Sequence, residues 1–210
     1  CGARGRWQWP RHGARSAEGA RIESNYAADP IPLSDVLTAP DAALPDDAQW
    51  RPVEAVGTYA DGGSVVLRAR PVEGTPAVHV LAPLVVTMAD GARAVLIVDR
   101  GWLPAGSEEV AGGIPDPPEG QVRVEARMRP PEEPSPRVGP PGQVYAIDPP
   151  AVLAASGAPG DVTSLPVLKA YAVLVSENPP AAVSPETLPA PGTGLGSNLS
   201  YAFQWWVFAL

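Results

Sequence analysis

Apolar and polar positions alternate most cleanly over Gln121–Arg129. Val122, Val124, Ala126 and Met128 take one side there, and Arg123, Glu125, Arg127 and Arg129 the other. A period of two with one apolar face is the pattern of a half-buried antiparallel strand. A looser alternation runs over Val53–Thr58, whereas Ala94–Val98 reads Ala-Val-Leu-Ile-Val without a break. Such a run predicts a central strand covered on both faces. Ser64–Arg70, Ala77–Thr87 (with Pro83 inside it), Gln143–Ile147 and Val167–Ser176 read as further strands. Asp61-Gly62-Gly63, Val72-Glu73-Gly74 and Asp90-Gly91 are the turns between them. Helix is predicted over 11–24, behind Pro10, and over Pro150–Ser156, with a short turn at Ser34–Leu37. The pattern predicts a mainly β fold: a single antiparallel sandwich or open barrel with a few short helices.

Composition supports this. The 28 prolines and 21 glycines among 210 residues do not fit inside long helices. They gather in stretches read as surface chain at 27–49, 104–119, 130–142 and 177–198. The formal net charge of -8 excludes nucleic acid as a partner, because that contact needs a basic face to release counterions. The positive charge is concentrated in an arm holding Arg4, Arg6, Arg11, Arg15 and Arg21.

Catalytic groups are sparse. His12 and His79 are the only histidines, and Cys1 the only cysteine. No disulfide and no thiolate metal site can form within the chain, and no enzyme is expected. His79 lies on a predicted strand, where a packed or exposed ring is the plainer reading than a catalytic one. No Gly-x-Ser-x-Gly elbow or phosphate-cradling glycine loop is present, and Asp46-Asp47, Glu108-Glu109 and Glu132-Glu133 read as solvated loop charge. Cys1-Gly2 has two readings, the end of a membrane helix or a lipid-modified terminus, and the second suggests a lipid-anchored extracytoplasmic binding module. Leu199–Leu210 carries no charge and includes Tyr201, Trp205 and Trp206, so it reads as the opening of a membrane helix. One further segment stands out. After the buried run at Ala94–Val98 come Asp99-Arg100-Gly101-Trp102-Leu103-Pro104, a strand end with an ion-pair-capable couple, a glycine turn and an aromatic anchor. Trp102 is expected to pack into the core and pin the strand end. The same segment could instead present Arg100 to a partner.

These residues resemble those of the surfeit locus protein 1 family. Val95–Pro104 is similar to its Val-Leu-Val-Asn-Arg-Gly-Trp-Val-Pro signature, here with Arg100, Gly101, Trp102 and Pro104. Gly5–Trp9 with Trp7, Gln8 and Arg11 resembles the stretch after the family's first membrane helix. Trp50-Arg51-Pro52-Val53 with Gly57 and Tyr59, Leu67–Pro71, and His79–Leu84 resemble landmarks in the same order. Asn198–Ala202 with Gln204-Trp205 resembles the start of the second membrane helix. The resemblance implies an arm at 1–24, an extracytoplasmic β-rich domain at 25–197, and the start of a second transmembrane helix at 198–210. It further implies a non-enzymatic assembly factor of cytochrome c oxidase in the bacterial plasma membrane. Its partners would be oxidase subunit I, other assembly factors and membrane lipid, and its cargo haem a. Two positions depart from the family pattern. Asn198 stands where haem-binding members carry histidine, and an amide is a poor iron ligand. Asp99 stands where the signature has asparagine. Residues implied for haem are His12, Arg11, Asn198 and Tyr201, with Arg6, Arg11 and Arg15 facing either haem propionates or lipid headgroups.

Overall fold

A computed structural model describes residues 19–106 and 113–191. The chain divides into two compact units, Asn25–Leu188 and the combination of Cys1–Ser24 with Pro189–Leu210. The first unit holds eight strands: β1 (Ile31–Pro32), β2 (Pro52–Tyr59), β3 (Val65–Leu67), β4 (Ala77–Thr87), β5 (Arg93–Pro104), β6 (Gln121–Arg129), β7 (Gln143–Val144) and β8 (Val167–Asn178). Residues 19–26 form helix α1; α2 (Leu33–Val36), α3 (Pro149–Ala155) and α4 (Gly160–Thr163) are short. Of the second unit only 19–24 and 189–191 are described, and residues 19–24 are helical. Among the described residues no helix is long and apolar enough to cross a membrane. The two expected membrane-helix ends lie outside them.

The strands run in the order β1-β2-β6-β8-β5-β4-β3-β7, and β2 also pairs with β4. Strands β2, β6, β8, β5 and β4 therefore close into a ring. Taken in chain order these five strands have the connectivity of a small Greek-key barrel of the OB type. Two expectations change. The wall is closed, where a sandwich or open barrel was predicted. It is also not antiparallel throughout, because β5–β8, β1–β2 and β3–β7 pair in parallel. Alternation within one strand is the same whichever way its neighbour runs, so the sequence pattern could not report this.

The alternation itself is confirmed. Val122, Val124, Ala126 and Met128 of β6 face inward with Val53 and Ala55, Ala82 and Leu84, Leu96 and Val98, and Leu168 and Ala170. Leu33, Leu37 and Leu44, from α2 and the loop after it, join this interior. The outward residues Leu81, Val95, Ile97 and Tyr171 are covered by Val152 and Leu153 of α3, by Val162 of α4, and by Leu67 and Val144. The run Ala94–Val98 is thus buried on both faces, as its sequence predicted. The strand itself is longer, reaching Pro104, while Ser64–Arg70 and Gln143–Ile147 shrink to three and two paired residues.

Closure occurs at Gly57, which pairs with Val122 of β6 on one side and Val86 of β4 on the other. A Cβ here would press into the Val85 carbonyl oxygen and the Leu84 side chain. Only glycine lets the β2 and β4 backbones approach this closely. Gly57→Ala should cost ~1–3 kcal/mol, the usual penalty of overpacking. It should lower the denaturation midpoint at unchanged slope; an unaltered midpoint would show that the ring does not depend on this approach.

Candidate functional site

The segment singled out in the sequence is a β-bulge. Arg100 and Gly101 of β5 together oppose Val80 of β4, between the pairs Leu81–Asp99 and His79–Trp102. A bulge adds one residue and reverses the face of every residue after it. Arg100 therefore stays in phase with the inward Leu96 and Val98, and Asp99 in phase with the outward Val95 and Ile97.

Each residue of the bulge has a specific task. Asp99 is only 2% exposed, and its Oδ1 accepts the Gly101 N–H at 3.2 Å. An acidic or amide side chain commonly holds the backbone two residues on in this way. Asparagine offers the same oxygen, which accounts physically for an aspartate at a position read as asparagine in the resembling signature. Its Oδ2 lies 2.8 Å from Nδ1 of His79, on the opposing strand. Gly101 has φ 129°, and a Cβ there would collide with the Glu186 carbonyl oxygen. Trp102 exchanges backbone hydrogen bonds with Glu186 in both directions, at 2.9 Å each.

This corrects two expectations. Trp102 is half-buried, not a core anchor; its backbone does the pinning, by holding the stretch around Glu186. Arg100 is 3% exposed and so is not presented to a partner. It enters the barrel interior, where Nη2 donates to Glu177 Oε1 at 3.2 Å and Nη1 to the Pro115 carbonyl at 2.9 Å. Its guanidinium also lies 5.6 Å from the Tyr59 ring centre, and the Tyr59 hydroxyl donates to Glu177 Oε2 at 3.0 Å. Glu177 points inward because β8 carries its own irregularity, between Leu174 and Ser176, which shifts the phase of the strand. Without that shift it would face out.

Burial and then the Glu177 charge hold the Tyr59 hydroxyl far above the ordinary phenol range, so Tyr59 remains a donor. Burial pushes the Asp99 carboxyl above its ordinary 3.8, opposed by the His79 hydrogen bond and then by His79 charge.

Among the other sequence candidates, Arg51 stands at the entry to β2, where its carbonyl accepts the Met128 N–H at 3.1 Å. Pro52 pairs with Arg127, Arg127 with Val173 and Val173 with Asp99, so one register row links the two motifs across β2, β6, β8 and β5. That row is three strand spacings, roughly 14 Å. Pro104 ends β5 opposite Ala77. Trp7, Gln8, Arg11, His12, Asn198 and Tyr201 lie outside the described residues. Sequence reasoning missed Glu177, which it placed in a linker, and the pairing of His79 with Asp99. Neither partner has a local signal, since each is set by a bulge.

His79 uses one ring nitrogen on Asp99 and its side chain is 12% exposed. A cavity of about 540 Å³ beside α3, bordered by Arg137, Tyr145 and Asp148, has no histidine or cysteine in its wall. No group of three or more potential metal ligands occurs among the described residues.

The profile of the SURF1 family matches residues 1–210. The chain belongs to the SURF1 family. A SURF1-like protein of Mycobacterium bovis is 34% identical over 210 residues, 97% of this chain and 72% of its own. SURF1-like proteins of two Mycobacterium tuberculosis strains match to the same extent. Members of the family are generally cytochrome c oxidase assembly factors, not catalysts, and are membrane-associated.

Two outcomes follow from the geometry. Glu177→Ala leaves Arg100 buried without its carboxylate and should cost ~3–5 kcal/mol by chemical denaturation. A loss below 1 kcal/mol would mean that water reaches Arg100. The raised carboxyl of Asp99 favours the protonated form in the folded state. Its contribution is complete below pH 3.8 and declines as pH rises through the higher folded value. Asp99→Asn keeps the acceptor for Gly101 and removes the charge. Stability against pH should be flatter above pH 4 in this variant, with a gain at neutral pH; an identical slope in the two proteins would overturn the assignment.

Proposed function

We propose that this chain assists the assembly of cytochrome c oxidase by protein contact with subunit I and its other assembly factors, and performs no chemistry of its own. The observation that carries this reading is the family match along all 210 residues. The geometry supports it. The signature residues are spent on the fold, Arg100 on Glu177 and Gly101 on the approach of Glu186, so they shape the domain and leave no free reactive group. In this reading the protein sits in the bacterial plasma membrane with the barrel on the extracytoplasmic side. Removing the gene should abolish the haem a absorbance of the membranes and the oxidase activity, and the wild-type gene should restore both. Normal oxidase in the deletion strain would end the proposal.

Haem a handling belongs to the same proposal and to the residues outside the barrel, Arg11, His12, Asn198 and Tyr201. An imidazole is a good ligand for haem iron and an amide a poor one. Wild-type protein in detergent should therefore bind haem a weakly in an absorbance titration, and Asn198→His should bind it more tightly. Tight binding by the wild type that survives His12→Ala would refute this assignment. Assembly that depends on the protein without bound haem would favour protein contact alone.

A further inference from the structure

On the outer face where β2 begins and β6 ends, two arginines and two aromatic rings form a stack. The Arg127 guanidinium lies 3.7 Å from the Tyr26 ring centre and that of Arg129 lies 4.2 Å from Trp50. The two rings are 6.2 Å apart at 56°. The order is cation, ring, ring, cation. All four side chains are half-buried.

The assembly is held in place from beneath. Buried Asn25, beside Tyr26, donates to the carbonyls of Asp47 at 2.6 Å and Gln49 at 2.9 Å, and so fastens Asn25-Tyr26 to the turn before Trp50. Trp50 itself takes φ 65°, a conformation that a bulky residue adopts only when its surroundings impose it. Its N–H is bonded to the Met128 carbonyl at 2.8 Å.

The charges are not neutralised. Among the described residues the ion pairs are Arg70–Glu132, His79–Asp99, Arg100–Glu177 and Arg123–Glu54. Arg127 and Arg129 are in none of them, and the Nε atom of Arg127 is buried without a partner. The only carboxylate on the outward side of β6 is that of Glu125, two residues before Arg127. Arg127 Nη2 donates to the Tyr26 carbonyl at 3.4 Å, which helps to fix the guanidinium on the ring. Rings stacked on the flat faces of the two guanidiniums set their orientation, and the N–H groups not used within the protein can fork onto phosphate oxygens.

We infer that Arg127 and Arg129, ordered by Tyr26 and Trp50, bind the phosphate headgroups of anionic phospholipid and set the barrel against the membrane surface. Tryptophan and tyrosine beside arginine suit the headgroup layer, where one part of each ring is wet and the other apolar. Carboxylates outnumber cations over the described part of the barrel, and such a membrane repels them, so this face of the barrel is the one turned toward it. The inference rests on the proposed reading only in placing the protein at a membrane.

The test is flotation of the full 210-residue chain with vesicles of phosphatidylcholine alone and of phosphatidylcholine doped with phosphatidylglycerol. Flotation with neutral vesicles reports apolar anchoring, and the deletion strain reports the oxidase reading, so both are read apart from the increment due to lipid charge. Wild type should show such an increment, reduced by salt. The combined change Arg127→Gln and Arg129→Gln should lower it by about tenfold, as the loss of two basic contacts to an anionic surface would. Glu125→Gln leaves the stack intact and should raise it. An increment that persists unchanged in the double variant, or that Glu125→Gln does not raise, overturns the inference. A double variant that keeps its lipid increment but fails to restore oxidase assembly also overturns it, and assigns the face to an acidic protein surface.

Discussion

A charged side chain placed inside a closed barrel has to be met there by other groups, and Arg100 organises much of this domain. Its guanidinium is taken up by Glu177 from β8, by the Pro115 carbonyl from the loop after β5, and by the ring of Tyr59 from β2. Tyr59 in turn holds the second oxygen of Glu177. Three separate parts of the chain thus converge on one arginine. The desolvation cost of such a group is offset only when its partners are placed well, so the pair contributes more to a single arrangement of the strands than to stability as such.

The bulge at Arg100 and Gly101 makes this convergence possible. Asp99 braces it through the Gly101 N–H, and the missing side chain at Gly101 admits Glu186. The same few residues therefore hold the loop at Pro115 and retain the chain beyond β8. A motif this compact can mark a family without being its active site. The outer arginine–aromatic stack is a different kind of feature: among the described residues its cations form no ion pair, while the inner arginine is paired with Glu177.

Much of the β architecture was legible because a strand with one wet face writes its period directly into the sequence. Gln121–Arg129 and the double-sided run Ala94–Val98 were both readable for this reason, and α2 and α3 appeared within a residue or so of their expected places. The closed ring was not legible. Its two deciding features are Gly57, whose lack of a side chain looks like any other glycine, and the pairing of β2 with strands on both sides. Strand direction was equally silent, since parallel and antiparallel neighbours demand the same alternation.

For the candidate site the division is sharper. By itself the sequence determined that a strand buried on both faces runs over Ala94–Val98 into Asp99-Arg100-Gly101-Trp102, and which family the chain resembles. Only the tertiary structure decided that Arg100 points inward, that Trp102 acts through its backbone, and that Glu177 and His79 are the partners. The reason is physical. A single inserted residue in a strand reverses the direction of every side chain beyond it, and nothing in the local composition records where that insertion falls.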